Sequence, residues 1–113
     1  MGLYGETRPI EVNGQPGAEV YVSLAPGEDS GDRLMRDTIV YLTCLHETGH
    51  ALGLPHTAGF DDIMYNFQYG GDIPEYFGRY RRKLTKREDI RKNSGLSDAD
   101  RRALESVVEK KQR

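Results

Sequence analysis

The chain of 113 residues is poor in cysteine: Cys44 stands alone, which excludes an internal disulfide. No run of about twenty apolar residues occurs, so no membrane-crossing helix is expected. The opening Met1-Gly2-Leu3-Tyr4-Gly5-Glu6 has neither the basic start nor the apolar stretch of a signal peptide. Glutamate occupies position six, where a myristoylation signal needs serine or threonine. Compartment stays open: secretion is expected if a signal or pro-segment precedes Met1, and a cytoplasmic location otherwise. Liganding oxygens in the loop Ala25 to Asp32 are too few and too irregular for calcium. Length and an apolar fraction of 36% allow one domain with a modest core.

Charge is near balance overall, at −2, but unevenly spread. Residues 1–78 carry twelve acids and three bases, and residues 79–113 carry thirteen bases and six acids. Between Arg79 and Lys92, eight of fourteen residues are basic. Such a run is either a surface for an anionic partner, nucleic acid included, or a solvated helical tail. The tail is the reading adopted, with nucleic acid not the expected partner and a monomer the expected state.

What is present is concentrated. All three histidines lie within His46-Glu47-Thr48-Gly49-His50-Ala51-Leu52-Gly53-Leu54-Pro55-His56, four and then six residues apart. Random placement gives that spacing in on the order of one arrangement in a few thousand, so chance is a poor explanation. On a helix, residues four apart project from one face, one turn from each other. That separation lets two imidazoles hold one zinc ion at about 2.0–2.1 Å each. A third ligand further along the helix would be out of reach, so the chain must turn back. Gly53 supplies the turn, and Pro55 keeps the next residues extended to present His56. Three nitrogens leave one coordination position open for water, as in catalytic zinc sites, and Glu47 sits beside it as a general base. Cys44, two residues before His46, points roughly 160° away on a helix and reads as a core residue.

Phe60-Asp61-Asp62-Ile63-Met64-Tyr65 then places a methionine eight residues after His56. With the HExxHxxGxxH motif this resembles the metzincin clan of zinc metalloproteases, most closely matrixin-like proteins. The resemblance implies that Met64, on a Met-turn, forms an apolar floor beneath the imidazoles without ligating; taken alone it would read as a core methionine. Thr57 stands where serine would be matrixin-like, Asn66 replaces the proline usual after Met-Tyr, and the cysteine-switch segment is absent. The resemblance also implies that Tyr65, Asn66 and Tyr69 lie by the substrate pocket, and that Leu3 and Tyr4, on an edge strand, pair with an extended substrate.

Along the chain, Leu3 to Val12 reads as an edge strand interrupted by Gly5 and Pro9, and Asn13 to Gly17 as a turn. Ala18 to Leu24 alternates like a half-buried strand, with Val20, Val22 and Leu24 on one face. The zinc helix runs from about Arg33 or Thr38 to Leu52, capped by Asp32 or Asp37 and buried through Ile39, Leu42, Leu45 and Leu52. Asp72 to Arg82 reads as an irregular connection. Thr85-Lys86-Arg87-Glu88 has the form of a capping box opening a short helix to about Lys92, and Ser97-Asp98-Ala99-Asp100 opens the last helix. Ala103, Leu104, Val107 and Val108 form its stripe. Residues 67–95 have no counterpart in the resemblance and read as an insertion.

These readings converge on an α+β, zincin-like domain over residues 1–113, minimal or N-terminally truncated. A small twisted sheet would pack on the zinc helix, above the Met-turn and the C-terminal helix. The expected activity is zinc-dependent hydrolysis of peptide bonds in a polypeptide substrate. A zinc-binding module with little turnover, and an anionic-partner binder working through residues 79–92, are the alternatives.

Overall fold

The computed structural model describes residues 5–23 and 31–111. Within them Asn13 and Gly14 take positive φ, 51° and 79°, the pair of conformations that closes a two-residue hairpin with the natural twist of its strands. Strands β1 (Gly5–Val12) and β2 (Gln15–Val22) pair antiparallel from Gly5↔Val22 to Val12↔Gln15. The turn is therefore shorter than the expected Asn13 to Gly17, and β2 begins at Gln15. Pro9 and Pro16 sit inside strands at no cost to the ladder, because each strand of a two-stranded ribbon has an edge that needs no donor. The expected alternation of burial does not hold: Glu19, Val20 and Tyr21 are all exposed and Val22 is half-buried, since so narrow a ribbon covers only part of the helix below it. Leu3, Tyr4 and Leu24, expected to belong to these strands, lie outside the described residues.

Helix α1 (Arg33–Ala51) is capped by Asp32, whose carboxylate accepts from the Leu34 amide at 3.0 Å and pairs with Arg81 at 2.8 Å. The hairpin and a second helix both pack on α1. Ile39 and Leu42 are buried, with Leu45 partly buried against them. Leu52, expected to help bury the helix, is instead 40% exposed. The chain reverses at Gly53 (φ 96°), and it is Leu54, 6% exposed, that turns inward, its amide bonded to Gly49 O at 2.9 Å.

The expected irregular connection at residues 72–82 is a helix, α2 (Ile73–Arg81). Asp72 accepts from the Glu75 amide at 3.0 Å, Pro74 occupies the first turn, and Arg79 and Arg81 lie in the last. Tyr76, Phe77 and Tyr80 then share one buried face. Together with Leu84 they supply four of the ten buried apolar residues, so this segment is part of the core rather than an appendage to it. Burying each such side chain stabilises the fold by about 1.5–3 kcal/mol.

Residues Arg87–Lys92 form a 3-10 turn, not an α-helix, and the side chain that caps it is Asp89, accepting from the Thr85 and Lys86 amides at 2.8 and 3.1 Å. Helix α3 (Asp98–Lys111) opens with a reciprocal cap between Ser97 and Asp100, at 3.1 and 2.9 Å. Ala103, Leu104 and Val107 lie against the core, whereas Val108 is 51% exposed and drops out of the expected stripe. Among the described residues the architecture is a small α+β arrangement of one two-stranded antiparallel sheet and three α-helices. None of these helices is long and apolar enough to cross a membrane.

Candidate metal centre

His46 and His50 leave α1 one turn apart, and each ring is held by its other nitrogen. His46 Nδ1 lies 2.7 Å from Ile63 O, and His50 Nδ1 lies 3.0 Å from Leu54 O. A carbonyl accepts only, so both Nδ1 atoms carry hydrogen, and neutral rings present bare Nε2 lone pairs. This anchoring is the arrangement that metal-ligating histidines generally show. His46 also stacks on Phe67, with ring centroids 5.7 Å apart.

The reversal at Gly53 delivers His56 to the same place. The chain after it is pinned by a parallel bridge between Thr57 and Tyr65, with Thr57 N to Met64 O at 2.8 Å and Asn66 N to Thr57 O at 2.9 Å. One nitrogen from each of the three rings lies within 4.8 Å of the others, and His50 Nε2 and His56 Nε2 are 2.9 Å apart. Donors on one tetrahedral zinc stand roughly 3.3 Å apart, so small adjustments complete a shared coordination sphere. An all-imidazole donor set suits zinc, with copper, iron or nickel as chemical competitors. The residues present therefore fit a divalent transition ion. Burial pushes the His46 imidazole below its ordinary value; burial, then the charge of His50, does the same to His56. Both shifts favour the neutral form a metal needs.

Glu47 is 7% exposed. Thr7 of β1 reaches down to it, its hydroxyl 2.7 Å from Glu47 Oε1 and 2.8 Å from Glu47 O. Strand β1 crosses so closely here that a Cβ on Gly5 would stand 2.9 Å from Glu47 Cγ and 2.8 Å from Thr43 Cγ2. Between hairpin and helix lies an open cleft of about 600 Å³, bordered by Thr7, Pro9, Ala18, Glu47, His50 and His56. A narrower space of about 40 Å³ runs from His46 and Glu47 toward Leu42, Asn66, Phe67 and Phe77.

Met64, 2% exposed, lies against α1 at Gly49, beside His50 in the chain: a Cβ on Gly49 would come within 2.5 Å of its Sδ. A glycine inside a helix costs roughly 1 kcal/mol relative to alanine, so Gly49 was itself a sequence signal of close approach. The loop carrying Met64 is tied down by residues that sequence reasoning missed. Asp100 Oδ2 accepts from the Ile63 amide at 2.7 Å, Asp62 accepts from Thr57 at 2.7 Å and Ser97 at 2.6 Å, and the Tyr76 hydroxyl donates to Asp62 O at 2.7 Å.

No family model matches this chain, and the curated proteins and solved structures compared with it contain no match either. The remaining expected site residues divide. Asn66 borders the narrow space and caps the next turn through Gln68 N at 2.9 Å. Tyr65 is 6% exposed and donates its hydroxyl to Gly70 O at 2.7 Å, a packing position. Tyr69 is 65% exposed and borders neither space. Leu3 and Tyr4 lie outside the described residues, and Cys44 is a half-buried free thiol.

Proposed function

We propose that this protein is a zinc-dependent endopeptidase of the metzincin type, resembling matrixin-like proteins. The observation that carries the reading is the meeting of three histidine nitrogens beside Glu47 on the wall of an open cleft. Met64 beneath the helical ligands and the HExxHxxGxxH spacing support it. His46, His50 and His56 would hold the ion. Bound zinc supplies a Lewis acid that acidifies a water and polarises a carbonyl.

The rest falls to the chain. Thr7 fixes Glu47 Oε1 and so orients the carboxylate. Oε2, the other oxygen of the carboxylate, takes the proton of the attacking water and passes it to the departing amine. One peptide bond and one water become a carboxylic acid and an amine. The hairpin, two strands wide, keeps main-chain edges with which an extended polypeptide can pair.

A zinc-binding module without turnover is the second reading. The Thr7 hydroxyl favours it, because it occupies Glu47 Oε1 and leaves the carboxylate one oxygen fewer to offer a water. One experiment separates the two: zinc-loaded wild type and Glu47→Ala are incubated with a broad peptide library. Loss of cleavage by about 10²–10⁴-fold, with one zinc retained per chain, is the expected result. Equal cleavage by both forms, or no zinc uptake, would refute the peptidase; zinc uptake without cleavage by either form selects the module.

A further inference from the structure

The basic run is divided by the fold into paired and unpaired cations. Arg81 pairs with Asp32 at 2.8 Å, Arg82 with Glu75 at 2.7 Å, Arg87 with Asp37 at 3.7 Å, and Arg79 with Asp61. None of Lys83, Arg91, Lys92 and Arg101 forms an ion pair with a described residue, and these four border one groove of about 780 Å³. The groove runs between α2, the 87–92 turn and the start of α3, in a separate space from the histidine cleft. Two acids border it, Asp61, already paired with Arg79, and Asp98.

We propose that this groove binds a short acidic stretch of polypeptide. Four cations without an ion pair along one depression lower the energy of successive carboxylates; Arg91 can take a carboxylate through two parallel hydrogen bonds, and Arg101, which gives one N–H to Ser94 Oγ at 3.2 Å, keeps further donors for another. Nucleic acid fits less well. The tyrosines bordering the groove, Tyr76 and Tyr80, are each 4% exposed, so no ring is available for a base to stack on. The chain as a whole carries −2, and its first 78 residues hold twelve acids against three bases. The negative net charge opposes a long polyanion, whereas a segment of a few glutamates or aspartates ends with the groove.

The proposal does not depend on the metal, and its test is kept apart from catalysis. A fluorescein-labelled hexaglutamate peptide is titrated by anisotropy against the full chain, with zinc and after chelation. An oligothymidine of equal charge serves as the competing probe. The variant Lys83→Gln/Arg91→Gln/Lys92→Gln removes exposed side chains only, and Arg33→Gln/Arg36→Gln/Arg102→Gln loses the same charge outside the groove. Expected are binding with and without zinc, weakening with salt, and a loss of about tenfold or more in the groove variant but not in the control. Absence of peptide binding at low salt, equal loss in both variants, dependence on zinc, or preference for the oligonucleotide would each overturn it.

Discussion

Replacing Gly49 by alanine tests whether Met64 is wedged against α1, the helix that carries His46 and His50. The added Cβ would lie 2.5 Å from Met64 Sδ, 3.3 Å from its Cε and 3.5 Å from Leu54 Cδ1. Unstrained carbon contacts begin near 3.5–4.0 Å, so the sulfur must retreat by roughly 1 Å or more. Met64 is 2% exposed, which leaves it nowhere to go without moving its neighbours. Overpacking of this kind costs about 1–3 kcal/mol, and alanine returns roughly 1 kcal/mol of helix propensity. A net loss of up to about 2 kcal/mol in urea unfolding, followed by circular dichroism, is the expectation. The strain also reaches the residues whose carbonyls hold the rings, Ile63 beside Met64 and Leu54 across from it, so zinc affinity should fall by about tenfold or more. The background decides the sign. In Met64→Ala, itself about 2–5 kcal/mol less stable, the clash is gone and Gly49→Ala should stabilise by roughly 1 kcal/mol. If alanine stabilises the wild-type protein as well, Met64 does not press on the helix and the proposed floor is wrong.

Three further outcomes follow from the same geometry. His46 and His56 titrate below the ordinary histidine value in the folded metal-free chain, so their contribution to stability is present above about pH 6.5 and lost as pH falls through their folded values. Urea midpoints of metal-free protein should therefore drop on acidification, and less so in a His46→Gln/His56→Gln variant; an equal drop in both would refute this. Asp100→Ala strips the Ile63 and Ser97 amides of their acceptor and should cost about 1–3 kcal/mol, with a parallel fall in zinc affinity. Zinc at a hundred times its dissociation constant should add about 2.7 kcal/mol of stability, reversed by chelation; an unchanged melting temperature counts against a native-state site.

Sequence made the histidine cluster legible because its ligands are local, set by one helical turn and one glycine reversal. The hairpin was legible for a related reason, since Asn13-Gly14 supplies two positive φ angles regardless of what surrounds it. Helix α2 was not, because Gly78 and a run of aromatics blur a pattern whose meaning comes from the distant partners of Tyr76, Phe77 and Tyr80. Leu52 and Leu54 exchanged roles because a chain reversal, rather than helical periodicity, decides which one turns inward. Thr7 reaching Glu47 forty residues away, and Asp100 reaching Ile63 thirty-seven away, leave no trace in spacing. Nor does the division of the basic run, which depends on where Asp32, Asp37, Asp61 and Glu75 come to rest.

The two rings clasped by Ile63 O and Leu54 O have a consequence for how an ion would come and go. Their tilts are set by backbone carbonyls, so a cation bound here would meet two rings already oriented. Loading and unloading then resemble filling a socket rather than assembling one. His56, the exposed member of the three and not part of α1, is the ring through which an ion would be exchanged while the helix stays intact.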